Sequence, residues 1–161
     1  MTVTADQYPS NTLQVIEDML VQCATFRALM GQAADTTPYT ATRARIAFQD
    51  YRTKLAAPMC TLVLQPGEDG EPEAMTVTRH SETVEAYLCW PIDNTSADNE
   101  KQQALKALNA FGNLLAEFKA LVGTGTNLAR CSRAWEPPER TPDNGERPGC
   151  WNASLSIGIT Q

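Results

Sequence analysis

The sequence predicts an α+β fold: a mainly antiparallel sheet packed against an N-terminal helix and a long central helix, closing with a C-terminal β-hairpin. Three observations predict it. Between residues 96 and 123 the apolar residues recur at alternating four- and three-residue steps, the period of one helix face. Over 151–159 they alternate strictly, and over 83–90 Val84, Ala86, Leu88 and Trp90 recur at every second residue, the period of one strand face. The strand-like runs also follow one another without a helix regularly between them, which points away from a parallel α/β sheet.

Residues 1–9 read as a loose polar arm closed by Pro9. Ser10 is placed to cap a first helix, NTLQVIEDMLVQCATFRALMG, which ends at Gly31. Leu13, Ile16, Leu20, Cys23 and Met30 mark its buried side, with Met19 and Phe26 at the edge. Glu17 and Asp18 early and Arg27 late agree with the helix dipole. QAADTTPYTAT, interrupted by Pro38, reads as a loop. ARIAFQDYRTKLAA fits either a short strand through Ile46 and Phe48 or a helical turn through Phe48, Tyr51 and Leu55; the strand, followed by an irregular connection, is the reading adopted.

PMCTLVLQP is a compact strand from Met59 to Gln65, bounded by prolines, and PGEDGEPEA follows as a turn. AMTVTRHSETVEAYLCWP is a long strand or a pair of strands. In its second half Val84, Ala86, Leu88 and Trp90 face one way, and Thr83, Glu85, Tyr87 and Cys89 the other.

In the central helix Ala104, Leu108, Phe111, Leu115, Phe118 and Val122 share a side that Leu105, Leu114 and Leu121 widen. Ser96 is the expected N-cap, Asp98 and Glu100 suit the first turn, Lys119 suits the last, and Gly123 can take the left-handed closing conformation. Gly112 is discordant, costing about 1 kcal/mol against alanine, and calls for close packing on a sheet or another backbone. Beyond the GTGTN joint, LARCSRAWEPP is a strand whose partner is WNASLSIGIT, forming a hairpin around the long polar excursion EPPERTPDNGERPG.

At 161 residues the chain is most simply one domain, 1–161, long enough to bury a core. No apolar run approaches the roughly 20 residues that span a bilayer, and MTVTADQYPS has no secretory pattern, so a cytoplasmic site of synthesis is expected. A net charge of −6 argues against general binding to nucleic-acid phosphates. The cysteines at 23, 60, 89, 131 and 150 form no CxxC pair and each sits in an apolar segment, so five reduced thiols are expected. His80 is the sole histidine, and nothing in the sequence brings a thiol to it. With no phosphate loop, GxSxG or HExxH, the chain is read as a non-enzyme with no cofactor and no metal.

Two charged segments are the candidate interaction sites. Glu68, Asp69, Glu71 and Glu73 crowd one turn without a basic neighbour, as a hard-cation site or as a solvated tip that keeps an edge strand from aggregating. Glu136, Glu139, Arg140, Asp143, Glu146 and Arg147 lie on the proline-rich excursion, where loop length favours a binding role and mixed charge favours plain solvation. Trp135 and Trp151 flank its base as core or interface packing.

The order of elements, from the first helix with its closing glycine through PMCTLVLQP, TVEAYLCWP and the long helix to the hairpin ending WNASLSIGIT, resembles that of tail terminator proteins of long-tailed bacteriophages. The resemblance covers about residue 10 to 161 and is one of architecture. It implies a non-enzymatic virion protein, assembled in the host cytoplasm, that closes into a homohexameric ring on the tail tube. Such a ring ends tube polymerisation and presents a docking face to the head–neck connector. Its partners would be copies of itself, the tail tube protein and the connector or stopper protein, with DNA passing through an acidic lumen and no membrane involved. A head-completion or stopper protein, and a small-ligand-binding α+β domain, are the alternatives.

Overall fold

The computed structural model describes residues 10–50, 57–65, 68–69, 80–93, 97–124, 128, 131–146 and 148–160. Ten elements follow in order: α1 Ser10–Gln22, α2 Ala24–Leu29, α3 Thr40–Arg43, β1 Ile46–Phe48, β2 Met59–Leu64, β3 Glu68–Asp69, β4 His80–Pro91, α4 Glu100–Leu121, β5 Cys131–Thr141 and β6 Cys150–Thr160. The sheet runs β1-β2-β4-β6-β5, with β3 pairing β4 beside β2. The fold is therefore α+β with a mostly antiparallel sheet, and among the described strands only β1 pairs in parallel, with β2.

The alternation read in the sequence sets the layers. Val84, Ala86, Leu88 and Trp90 of β4 are buried together with Trp151, Ala153, Leu155, Ile157 and Ile159 of β6. Their registers, Trp90 with Trp151 through Glu82 with Ile159, make these two central strands the longest pairing in the sheet. The helices close over that face. Leu13, Ile16, Met19 and Leu20 of α1, Phe26 of α2 and Phe111, Leu114 and Phe118 of α4 join one hydrophobic cluster with the strands. The terminal hairpin is present and longer than expected, pairing Cys131 with Ile159 at one end and Thr141 with Cys150 at the other.

Four expectations change. The first helix is two, because Cys23 is extended at φ −75° and ψ 118°. Side chains bridge the break on both sides: the Arg27 guanidinium donates to the Val21 carbonyl at 2.8 Å, and the Thr25 amide donates to Glu117 at 3.0 Å. It also turns Phe26 fully inward, so Phe26 and Met19 are core residues rather than edge residues. Second, the loop over 32–42 contains the start of α3, fixed by Asp35, whose carboxylate accepts from both the amide and the hydroxyl of Thr42. These bonds hold the Asp35 carboxyl below its usual range.

Third, α4 begins at Glu100, not in the turn after Ser96. Asn99 is its cap, accepting from the Gln102 amide while the Gln102 side chain accepts from the Asn99 amide. Gly123 does take the left-handed conformation, at φ 76°. Fourth, the buried stripe of α4 is Ala107, Phe111, Leu114 and Phe118, while Leu108 is exposed and Leu115 only half-buried. Nine apolar residues are more than one sheet face can cover, and the sheet takes the stripe that projects its aromatic rings. The 1–9 arm, the connection after Asp50, Ser96 and most of the GTGTN joint lie outside the described residues. No helix among the described residues is long and apolar enough to cross a membrane.

Candidate interaction surface

The acidic turn is not simply a turn. Glu68 and Asp69 form β3, paired by backbone to Ser81 and His80, while Glu71 and Glu73 lie outside the described residues. The second candidate segment is also re-drawn. Glu136, Glu139 and Arg140 are on β5, whose register shifts between Glu136 and Glu139, so that Pro137 and Pro138 fall at the irregularity. A proline donates no ladder hydrogen bond, and a bulge is where a strand can absorb two of them.

The strands pair as far as Thr141 with Cys150, and side-chain bonds shape the described residues between them, 142–146 and 148–149. The Asp143 carboxylate accepts from the Gly145 amide at 2.7 Å, and the Asn144 carbonyl oxygen accepts from the Glu146 amide at 3.1 Å. Gly145 supplies the positive φ, 84°, that this turn needs. Gly149 closes the base, since a Cβ there would come within 3.2 Å of the Thr141 carbonyl and the Asp143 amide. Asn152 donates to the Thr141 hydroxyl across the same base. Glu136, Glu139, Asp143 and Glu146 are all exposed at this end of the molecule, and Arg147 lies outside the described residues. Arg140 stands 3.7 Å from the exposed Glu100 carboxylate, a separation that contributes little in water.

A second surface was not visible in the sequence. Leu105 and Leu108 of α4 are 50% and 45% exposed, and Trp135 of β5 is 56% exposed. Leu105, Leu108, Gly112 and Leu115 fall at three- and four-residue steps and so share one flank of the helix. Trp135 lies against the same helix, its ring edge-on to Phe111 at 6.3 Å and 70°. Between them is an open depression of about 230 Å³ lined by Leu115, Ala116, Lys119, Arg133 and Trp135. Close packing does not account for Gly112 among the described residues: a Cβ there meets nothing within 4 Å. The signal that could have shown this flank is the excess width of the apolar face itself. Trp151, by contrast, is a core residue.

No protein-family model and no curated protein matches the chain.

A second recess among the described residues is small. Trp90, Trp151, Asp93, Asp98, Gln103 and Lys106 line a space of about 160 Å³ beside the start of α4, with Lys106 paired to Asp98. Small-molecule sites are ordinarily about 300–1,000 Å³. All five cysteines are free thiols. Burial pushes Cys23 up to about 12, with the Glu117 carboxylate adding to it, and burial with the neighbouring Cys150 thiol does the same for Cys89. Cys60, fully enclosed, is raised further still. Native protein at pH 8 is therefore expected to leave Cys23 and Cys60 unmodified by an aromatic disulfide reagent, with all five labelled after denaturation. Rapid native modification of either would contradict this packing.

Proposed function

We propose that the chain is a structural, non-enzymatic virion component of the tail terminator kind, a ring subunit that caps a phage tail tube and joins it to the head–neck connector. The observation that carries the reading is the distribution of the exposed groups. The exposed apolar residues lie on a helix flank and an edge strand around an open depression, where another protein can dock, rather than in a closed cavity. The built acidic hairpin end offers a second, chemically different face. A ring subunit needs two unlike faces that meet head to tail, and further polar ends for the tube protein and the connector. In a hexamer, the net charge of −6 per chain would leave a channel through which DNA slides without sticking.

The reading is tested by placing a stop codon in this gene within the genome that encodes it and imaging the particles by electron microscopy. The expected result is overlong tails, or tails not joined to heads. Normal particles would overturn it.

A further inference from the structure

Among the described residues the flank of α4 at Leu105 and Leu108 is left half open to solvent, as is Trp135 outside its edge contact with Phe111, and three features say what kind of partner they fit. The strip is centred on Gly112, a helix-interior glycine whose open side would let another backbone come close. The strip has in Trp135 the type of side chain that anchors protein interfaces, and Leu105 and Leu108 add exposed apolar area beside it. Its border is basic, with exposed Lys101 and Lys119 at either end along the helix and Arg133 beside Trp135, on a chain that is otherwise acidic.

We infer that this strip binds a second copy of the chain through the acidic hairpin end of that copy, so that subunits join head to tail. The complement is present in the same molecule, on the hairpin: Glu136, Glu139, Asp143 and Glu146 are exposed, and of the two bases in that segment Arg140 lies towards Glu100 and Arg147 is outside the described residues, so acids outnumber bases four to two. A stable interface takes about 800 Å² and roughly 20–30 residues from each partner, whereas the apolar strip is Leu105, Leu108, Gly112, Leu115 and Trp135. The hairpin end and the basic border therefore belong to the same contact. Because strip and hairpin differ, the contact is heterologous and generates a ring if the rotation closes. The prolines at the β5 irregularity disfavour simple edge-to-edge strand pairing there, which leaves side-chain docking as the mode. This inference rests on the ring reading above and deepens it by assigning the subunit contact.

The test uses the purified full chain and two variants of exposed residues, Leu108→Asp on the strip and Glu139→Lys with Glu146→Lys on the hairpin. Mass is followed by sedimentation from micromolar to hundreds of micromolar protein. The wild type should assemble beyond the monomer. Each variant should weaken assembly by at least about tenfold with an unchanged melting temperature. Mixed in equal amounts, the two variants should form a one-to-one heterodimer, since one intact strip then meets one intact hairpin. Should Leu108→Asp lower the melting temperature, Lys119→Glu addresses the same surface from an exposed position. A wild type that stays monomeric, a variant that assembles like the wild type, or a mixture that stays monomeric would each overturn the inference. Failure of the ring-on-tail reading looks different. Normal particles after the stop codon would remove the tail assignment while leaving the measured contact intact. Overlong tails after the stop codon, with normal particles from Leu108→Asp, would remove the contact alone.

Discussion

Replacing Phe118 with alanine is expected to lower the unfolding free energy by about 3–5 kcal/mol. The ring has no solvent exposure and sits at the end of the Ala107, Phe111, Leu114, Phe118 stripe that seals α4 onto the sheet. Its removal forfeits the transfer free energy of an aromatic side chain and leaves a hole that the β4–β6 pairing is too extensive to collapse around. Leu108→Ala is the control. The sequence pattern alone puts Leu108 on the same buried face, yet it is 45% exposed, so its loss should stay below about 1 kcal/mol. Urea melts with unchanged slope for both variants would report stability alone. Equal losses for the two would mean that α4 is rotated relative to this packing.

That contrast shows where the sequence was informative. Period and element order are local properties, so the long helix, the alternation of β4 and β6 and the terminal hairpin could all be read directly. The rotation of α4 is set by what covers it, and nine apolar residues permit several faces. The break at Cys23 was equally hidden, because an unbroken helical period hides a kink whose reason lies at Glu117, far along the chain. The same is true of the candidate surface. The charged positions were legible as a polar excursion, but proline content alone made a fourteen-residue loop of it. The strand register shows Glu136, Glu139 and Arg140 to be part of β5. Shortening 138–147 would thus remove the pairing of Glu139 with Asn152, of Arg140 with Trp151 and of Thr141 with Cys150, and is expected to cost stability. The apolar strip was missed for the reason that misplaced Leu108: excess hydrophobic width was assigned inward.

Glu117→Ala is expected to cost about 2–4 kcal/mol, more than a polar residue on a helix flank would ordinarily cost. The two oxygens of its carboxylate accept separately, from the Thr25 amide at 3.0 Å and the Thr25 hydroxyl at 2.6 Å, in a partly buried setting. Bonds to a charged acceptor contribute about 1.5–3 kcal/mol each, and the truncation also leaves a first-turn amide of α2 without its partner. Both effects act on the hinge between α1 and α2, so the loss should appear as weaker docking of α2 on α4. Glu117→Gln keeps one acceptor oxygen and should recover part of the loss. Thr25→Ala removes the hydroxyl bond but not the amide bond, so a double-mutant cycle with Glu117→Ala should show a positive coupling of about 1–2 kcal/mol. A second readout is independent of the melts. The Glu117 carboxylate adds to the burial that raises the Cys23 thiol, so its removal lowers the thiol pKa and opens the hinge, and native Cys23 should react faster with a thiol reagent. A loss below about 0.5 kcal/mol with no change in Cys23 reactivity would show that Phe26 and Met30 dock α2 without help from this carboxylate.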